Sequence, residues 1–195
     1  AMVFAFGAWQ LWGINRVHRM PESGLYRHCI PVHVNASAEA MWSVVSQLGE
    51  IQNYTPALKS SEVLDGKDPG VGAIRRCVNQ AGKAWAEECV TFEPGCRFTV
   101  RFLAEAPDFP FPARAMVGGW EVFPSGDVSD VMVWWELQPK PAFLAPVLMP
   151  MLAFRGDRDF PNVIERMANA ARSREDHPSA DAELSSAMRP LPRFC

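Results

Sequence analysis

The chain is 195 residues long, 48% hydrophobic and 21% charged, with a formal net charge of −3. That length suits one domain with decoration, and the composition excludes disorder across the body. A negative balance without a Lys/Arg stripe excludes a nucleic-acid partner.

Seven Trp and twelve Phe supply core material and equally the walls of a site for a flat apolar ligand. Five cysteines, Cys29, Cys77, Cys89, Cys96 and Cys195, lack paired short spacings. They define neither a zinc motif nor a disulfide framework, so reduced thiols in a cytoplasmic protein are expected. His18, His28, His33 and His177 have no metal-ligand spacing either, and no metal or cofactor is expected.

Taken in chain order, residues 3–14 come first, carrying Val3, Phe4, Phe6, Trp9, Leu11, Trp12 and Ile14 with Gln10 as the strongly polar interruption. This run is about a dozen residues against the roughly twenty that a spanning helix needs, and no basic segment precedes it. Residues 1–24 are therefore expected to dock on their own domain or to build a homo-oligomer. Peripheral membrane contact is the alternative.

Residues 25–34 read as a first strand, with Pro31 marking an edge or a bulge. Asn35 or Ser37 can cap a helix whose apolar positions Ala40, Met41, Val44, Val45 and Leu48 recur at helical spacing. A short helix or turn over residues 50–55 stops at Pro56. Strands are predicted at 58–64, 72–79, 84–92, 97–104, 113–123 and 129–138, separated by Gly/Pro/Asp-rich turns. The hairpin-like spacing argues for an antiparallel meander and against helices between strands.

After Pro141 the pattern becomes helical, with Phe143, Val147, Met151, Phe154, Phe160, Ile164, Met167 and Ala171 as its apolar stripe. Pro146, Pro150 and Pro161 predict kinked turns before a main helix starting near Asp159. Within it, the side bearing Phe160, Ile164 and Met167 is expected to face inward. Residues 175–195 form a polar, Pro-containing tail.

One strand, two short helices, six strands and a long last helix, together with Val34-Asn-Ala-Ser-Ala-Glu-Ala-Met-Trp42, Leu48-Gly-Glu-Ile-Gln-Asn-Tyr-Thr-Pro56, Gly70-Val-Gly-Ala-Ile-Arg75 and Trp134-Trp-Glu-Leu-Gln-Pro139, carry a likeness. From about residue 25 to 172 the chain resembles the START and pollen-allergen (SRPBCC) superfamily, in its polyketide cyclase/dehydrase and lipid-transport branch. The resemblance implies an α+β helix-grip fold, a curved antiparallel sheet of about seven strands around a long C-terminal helix, spanning 25–174. It also implies an internal apolar cavity for a small hydrophobic molecule, with loops 79–83 and 106–112 at its mouth and Phe109 and Phe111 over the opening.

In the strand 84–92, the period of two puts Trp85, Glu87, Cys89 and Thr91 on one face and Glu88 on the other, so one of two adjacent glutamates looks inward. The resemblance places Glu87 inside and Lys59 where relatives hold a cavity lysine, so that the two would pair. Arg75 is expected at the surface or the lip. Tyr54 can pack its ring while its hydroxyl reaches a cavity. The candidate ligand-binding set is Tyr54, Lys59, Trp85, Glu87, Phe109, Phe111, Trp120, Trp135, Phe160 and Ile164.

No nucleophile elbow, phosphate loop or dinucleotide fingerprint is present. The expectation is a carrier or binder of a lipid, sterol-like, aromatic or polyketide-type compound. Its competitors are a cyclase/dehydrase-like enzyme using Tyr54, Glu87 and Lys59 as acid/base groups, and an oligomeric interaction module.

Overall fold

The computed structural model describes residues 17–175; the apolar run over 3–14 and most of the tail lie outside them. Eight strands form one antiparallel sheet: β1 (His18–Arg19), β2 (Tyr26–Val34), β3 (Leu58–Val63), β4 (Ile74–Asn79), β5 (Ala84–Glu93), β6 (Arg97–Phe102), β7 (Ala113–Ser125) and β8 (Val128–Pro139). Their spatial order is β1-β2-β8-β7-β6-β5-β4-β3. Strands β3 to β8 thus form the expected meander, and β2 closes it against β8. The strand beyond the expected seven is β1, whose two residues are too few for an alternation to register.

Between β2 and β3 lie α1 (Ala38–Val45) and a 3-10 turn, Leu48–Asn53. Ser37 starts α1: its hydroxyl accepts from the Ala40 N–H at 3.2 Å, satisfying a donor that the first turn leaves open. The β4–β5 turn is built the same way. Asn79 Oδ1 accepts from the N–H groups of Ala81 (3.0 Å) and Lys83 (2.9 Å), and Gly82 takes φ +78°, which a side chain would oppose.

The long helix α2 (Ala145–Glu175) lies on the sheet face where alternate residues of β8, Val131, Val133, Trp135 and Leu137, are buried. It runs unbroken through Pro150 and Pro161, rather than starting near Asp159. A mid-helix proline costs about 3 kcal/mol. Burial of Leu148, Met149 and Ala153 against Trp135 and Leu137 offsets it, each large side chain contributing roughly 1.5–3 kcal/mol.

The inward face of α2 is also corrected in its first half. Phe143, Val147, Met151 and Phe154 are exposed, whereas Leu148, Met149, Ala153 and Gly156 are buried. Small residues decide this, because a Cβ on Gly156 would stand 3.0 Å from Ile30 Cδ1; that side of the helix is the one able to approach β2. Next to it, Asp157 lies 2.8 Å from His28 Nε2 on β2, tying helix to sheet. In the second half Ile164, Met167 and Ala171 are buried as expected.

The core has two parts. One gathers α1, the second half of α2 and the middle of the sheet, with Met41, Phe98, Val122 and Ile164 among its members. The other gathers Trp135, Leu137, Ala145, Leu148 and Met149, with Val17, Tyr26 and Phe109 against it. No helix among the described residues is long and apolar enough to cross a membrane. Cys77, Cys89 and Cys96 are free; Cys29 is disulfide-bonded, which corrects the expectation of reduced thiols for that residue.

Candidate functional site

The site begins with two residues directly opposite each other on β4 and β5, Arg75 and Glu87. The alternation on β5 turns Glu87 toward the face that carries α2, together with Cys89, while Glu88 points outward and pairs with Arg101. On β4 the same alternation turns Arg75 and Cys77 inward and Arg76 outward. Arg75 is only 5% exposed and Glu87 3%, and they form an ion pair.

Two further donors and acceptors complete the group. Arg75 Nη1 donates to the Leu48 carbonyl at 3.0 Å, so the 3-10 turn fixes the guanidinium from the other side. Trp85 Nε1 donates to Glu87 Oε1 at 2.7 Å. Each Glu87 oxygen therefore holds one donor, while Arg75 Nε, fully enclosed, has no hydrogen-bond partner among the described residues. An unsatisfied buried donor costs about 1–3 kcal/mol.

Burial alone would push the Arg75 guanidinium down, but Glu87, with smaller contributions from Cys77 and Cys89, holds it above its ordinary value. Burial, reinforced by Glu87, pushes the neighbouring Cys77 thiol up to about 12. Cys89 is raised as well, mainly by burial. Both shifts disfavour the thiolate, the nucleophilic form. Among the described residues no cluster of His, Cys, Asp and Glu could hold a metal ion.

An aromatic group covers the same corner. The Pro-rich loop 103–112 brings Phe111 edge-on to Trp85 (centroids 5.0 Å apart) and to Phe102 on β6 (5.9 Å). Phe109 packs on Phe111 at 5.3 Å and also on the Trp135–Leu148 part of the core. The rings meet in the tilted geometries that aromatic quadrupoles favour.

Of the residues expected from sequence, Trp85, Glu87, Phe109 and Phe111 are brought together here. Trp120 and Phe160 pack on each other elsewhere on the inner face, 6.0 Å apart, and Ile164 is wholly buried in the same part of the core. Trp135 sits beside His28, 5.5 Å away. Tyr54 is buried, and burial raises its hydroxyl pKa, with Arg174 opposing and Glu50 reinforcing; its charged neighbours are not Arg75 and Glu87.

Two expectations are corrected. Lys59 is exposed, because the register of β3 shifts between Leu58 and Ser60 and such an irregularity re-aims the side chain. Arg75, expected at the surface, is the cation that meets Glu87. The signal that could have found it is the cross-strand pairing itself: an arginine and a glutamate in register on one buried face neutralise each other.

Residues 30–172 match the family described as polyketide cyclase/dehydrase and lipid transport. Among solved structures, the ZhuI aromatase/cyclase from Streptomyces sp. R1128 is similar with a TM-score of 0.61 and 17% identity, over 82% of this chain and 99% of that one. Norcoclaurine synthase from Thalictrum flavum, a point mutant in complex with a transition-state analogue, is similar with a TM-score of 0.58 and 19% identity, over 77% of this chain and 99% of that one. At these identities the likeness establishes the fold. No curated protein matches the sequence.

Proposed function

Because the chain belongs to the polyketide cyclase/dehydrase and lipid-transport family, we propose that it binds a small, largely apolar molecule between the sheet and α2, with Arg75, Glu87 and Trp85 at the polar end of the site. The observation that carries this reading is the enclosed Arg75 Nε, without a hydrogen-bond partner among the described residues, on the cation paired with Glu87, which also holds the Trp85 indole of the aromatic group. An apolar ligand ending in a carbonyl or carboxylate oxygen would take that donor while its body packs on the rings.

Binding is favoured over acid/base catalysis by the state of Glu87. Its two oxygens accept from Trp85 and from Arg75, contacts that fix the carboxylate as the partner of the buried cation rather than aim it at a substrate. Lys59, another group that acid/base catalysis would use, is exposed.

The test compares naphthalene with 2-acetylnaphthalene, an apolar body without and with an acceptor oxygen, by titration of the full chain. Phe111→Ala should weaken both. Arg75→Met/Glu87→Met, which removes the donor without leaving a lone charge, should cost the ketone about tenfold, roughly 1.4 kcal/mol, and spare naphthalene. Affinities unchanged in both variants would sink the proposal.

A further inference from the structure

We propose that residues 1–16 of this chain dock on the exposed apolar stripe formed by the 3-10 turn Ala142–Leu144 and the first turns of α2. From Pro141 to Phe154 the sequence contains no polar side chain. A helix that is apolar all round belongs in an interior, yet over residues 141–153 the described residues bury one side, the cluster of Ala145, Leu148, Met149 and Ala153. On the other side Phe143 is 79% exposed, Val147 48% and Met151 45%, at successive i, i+4 positions that form a single line. Contiguous apolar surface of this kind marks a site of association.

The path of the chain points to the occupant. Val17 packs on the very cluster that buries the inner side of this helix. Strand β1 is antiparallel to β2, with Arg19 opposite Tyr26 and His18 opposite Arg27, so Val17 stands beside the start of β2, where Tyr26 packs on the same cluster. There His28 meets Asp157 of α2 at 2.8 Å. The described chain therefore begins alongside the helix. Pro31, with no N–H to donate, limits how far it can continue as a strand on β2.

Length and chemistry agree. Sixteen residues span about 24 Å as a helix, and more if extended, whereas Phe143 to Met151 covers about 12 Å. Phe4, Phe6, Trp9, Leu11 and Trp12 are the apolar complement that the stripe needs. A second copy or a lipid surface could cover the stripe too, but docking covers both apolar surfaces without any partner. The basic residues beyond the stripe, Arg155 and Arg158, both sit against Asp159, at 3.5 and 3.8 Å, which leaves little excess charge for anionic lipid.

The test is hydrogen–deuterium exchange on the full chain. Amides in 1–16 should exchange at least tenfold more slowly than unfolded-chain rates. In Val147→Glu/Met151→Glu that protection should vanish while β5 to β8 amides are unchanged, and Val147→Leu/Met151→Leu should retain it. Trp9→Ser/Trp12→Ser, outside the described body, should speed exchange over 143–151. Unfolded-chain rates in the unmodified protein, or protection indifferent to the Glu pair, would overturn the proposal. So would a dimer by light scattering that the Glu pair dissolves, or flotation with phosphatidylcholine/phosphatidylglycerol vesicles that it abolishes.

Discussion

The indole of Trp134 occupies the place where a side chain at Gly119 would stand: a Cβ there would lie 2.3 Å from the ring. The ring is held from above and from the side. Arg27 stacks on it at 4.6 Å, and its Nε1 donates to Glu121 at 2.9 Å. Gly119→Ala must lift the indole and break both contacts, so it should destabilise by about 1–3 kcal/mol. Adding Trp134→Ala should make Gly119→Ala nearly neutral. Urea denaturation of the two singles and the double measures this coupling, and simple additivity would refute it.

Arg75 and Glu87 should behave as a unit. Removing one partner leaves the other charged and buried, so Glu87→Gln or Arg75→Met should each cost about 3–5 kcal/mol. The double Arg75→Met/Glu87→Met should cost markedly less than the sum. The same denaturation cycle checks it, and two mild singles would show that solvent reaches the pair.

How far the sequence speaks is seen in α1 and α2. Ser37 and the run from Ala40 to Leu48 mark α1 because a cap and a period act locally. The face of α2 is a different matter: hydrophobic periodicity selects its bulkiest residues, Phe143, Val147 and Met151, whereas packing selected Ala153 and Gly156, whose smallness lets the helix reach Ile30. For Arg75 alternation gives relative facing only, and for Lys59 the family resemblance gives a position without the local register. Which lysine or arginine goes inside depends on the register with β5 and on the irregularity after Leu58, and both are properties of paired strands.

Alkaline pH should weaken the fold through Cys77. Folding raises its pKa from 9.0 to about 12, through burial and Glu87. Between those values the unfolded chain has lost its proton and the folded chain has not. The stability contributed by this group is therefore complete below about pH 9 and declines as pH rises toward 12. Cys77→Ala should reduce that decline, leaving the smaller share from Cys89, Cys96 and Tyr54, whose pKa values are also raised. Denaturation midpoints between about pH 8 and 11 test it, and an unaltered slope in Cys77→Ala rejects the assignment.

The contact between Gly156 and Ile30 predicts a compensating pair. Alanine at 156 gains up to about 1 kcal/mol of helix propensity but must displace Ile30 Cδ1 from 3.0 Å. Ile30→Val removes that atom at a cost of about 0.5–1.5 kcal/mol. The double Gly156→Ala/Ile30→Val should be about as stable as the unmodified protein, and more stable than Ile30→Val alone, as thermal midpoints would record. A double less stable than Ile30→Val would mean that the helix cannot stand off from β2.

An open sheet has two borders, and each is a template for strand addition by another molecule. Here both are blocked by the chain itself. On β3 the outward N–H of Ser61 is taken by the Gln52 side chain, and Ser61 Oγ donates to the Gly49 carbonyl at 2.6 Å, so the 3-10 turn is fastened along that border. On β2 the short β1 covers Tyr26 and Arg27, and Pro31 breaks the donor row beyond it. Copies of this protein are thereby discouraged from zipping edge to edge into fibrils, a hazard that an eight-stranded sheet left bare would carry at every concentration the cell could reach.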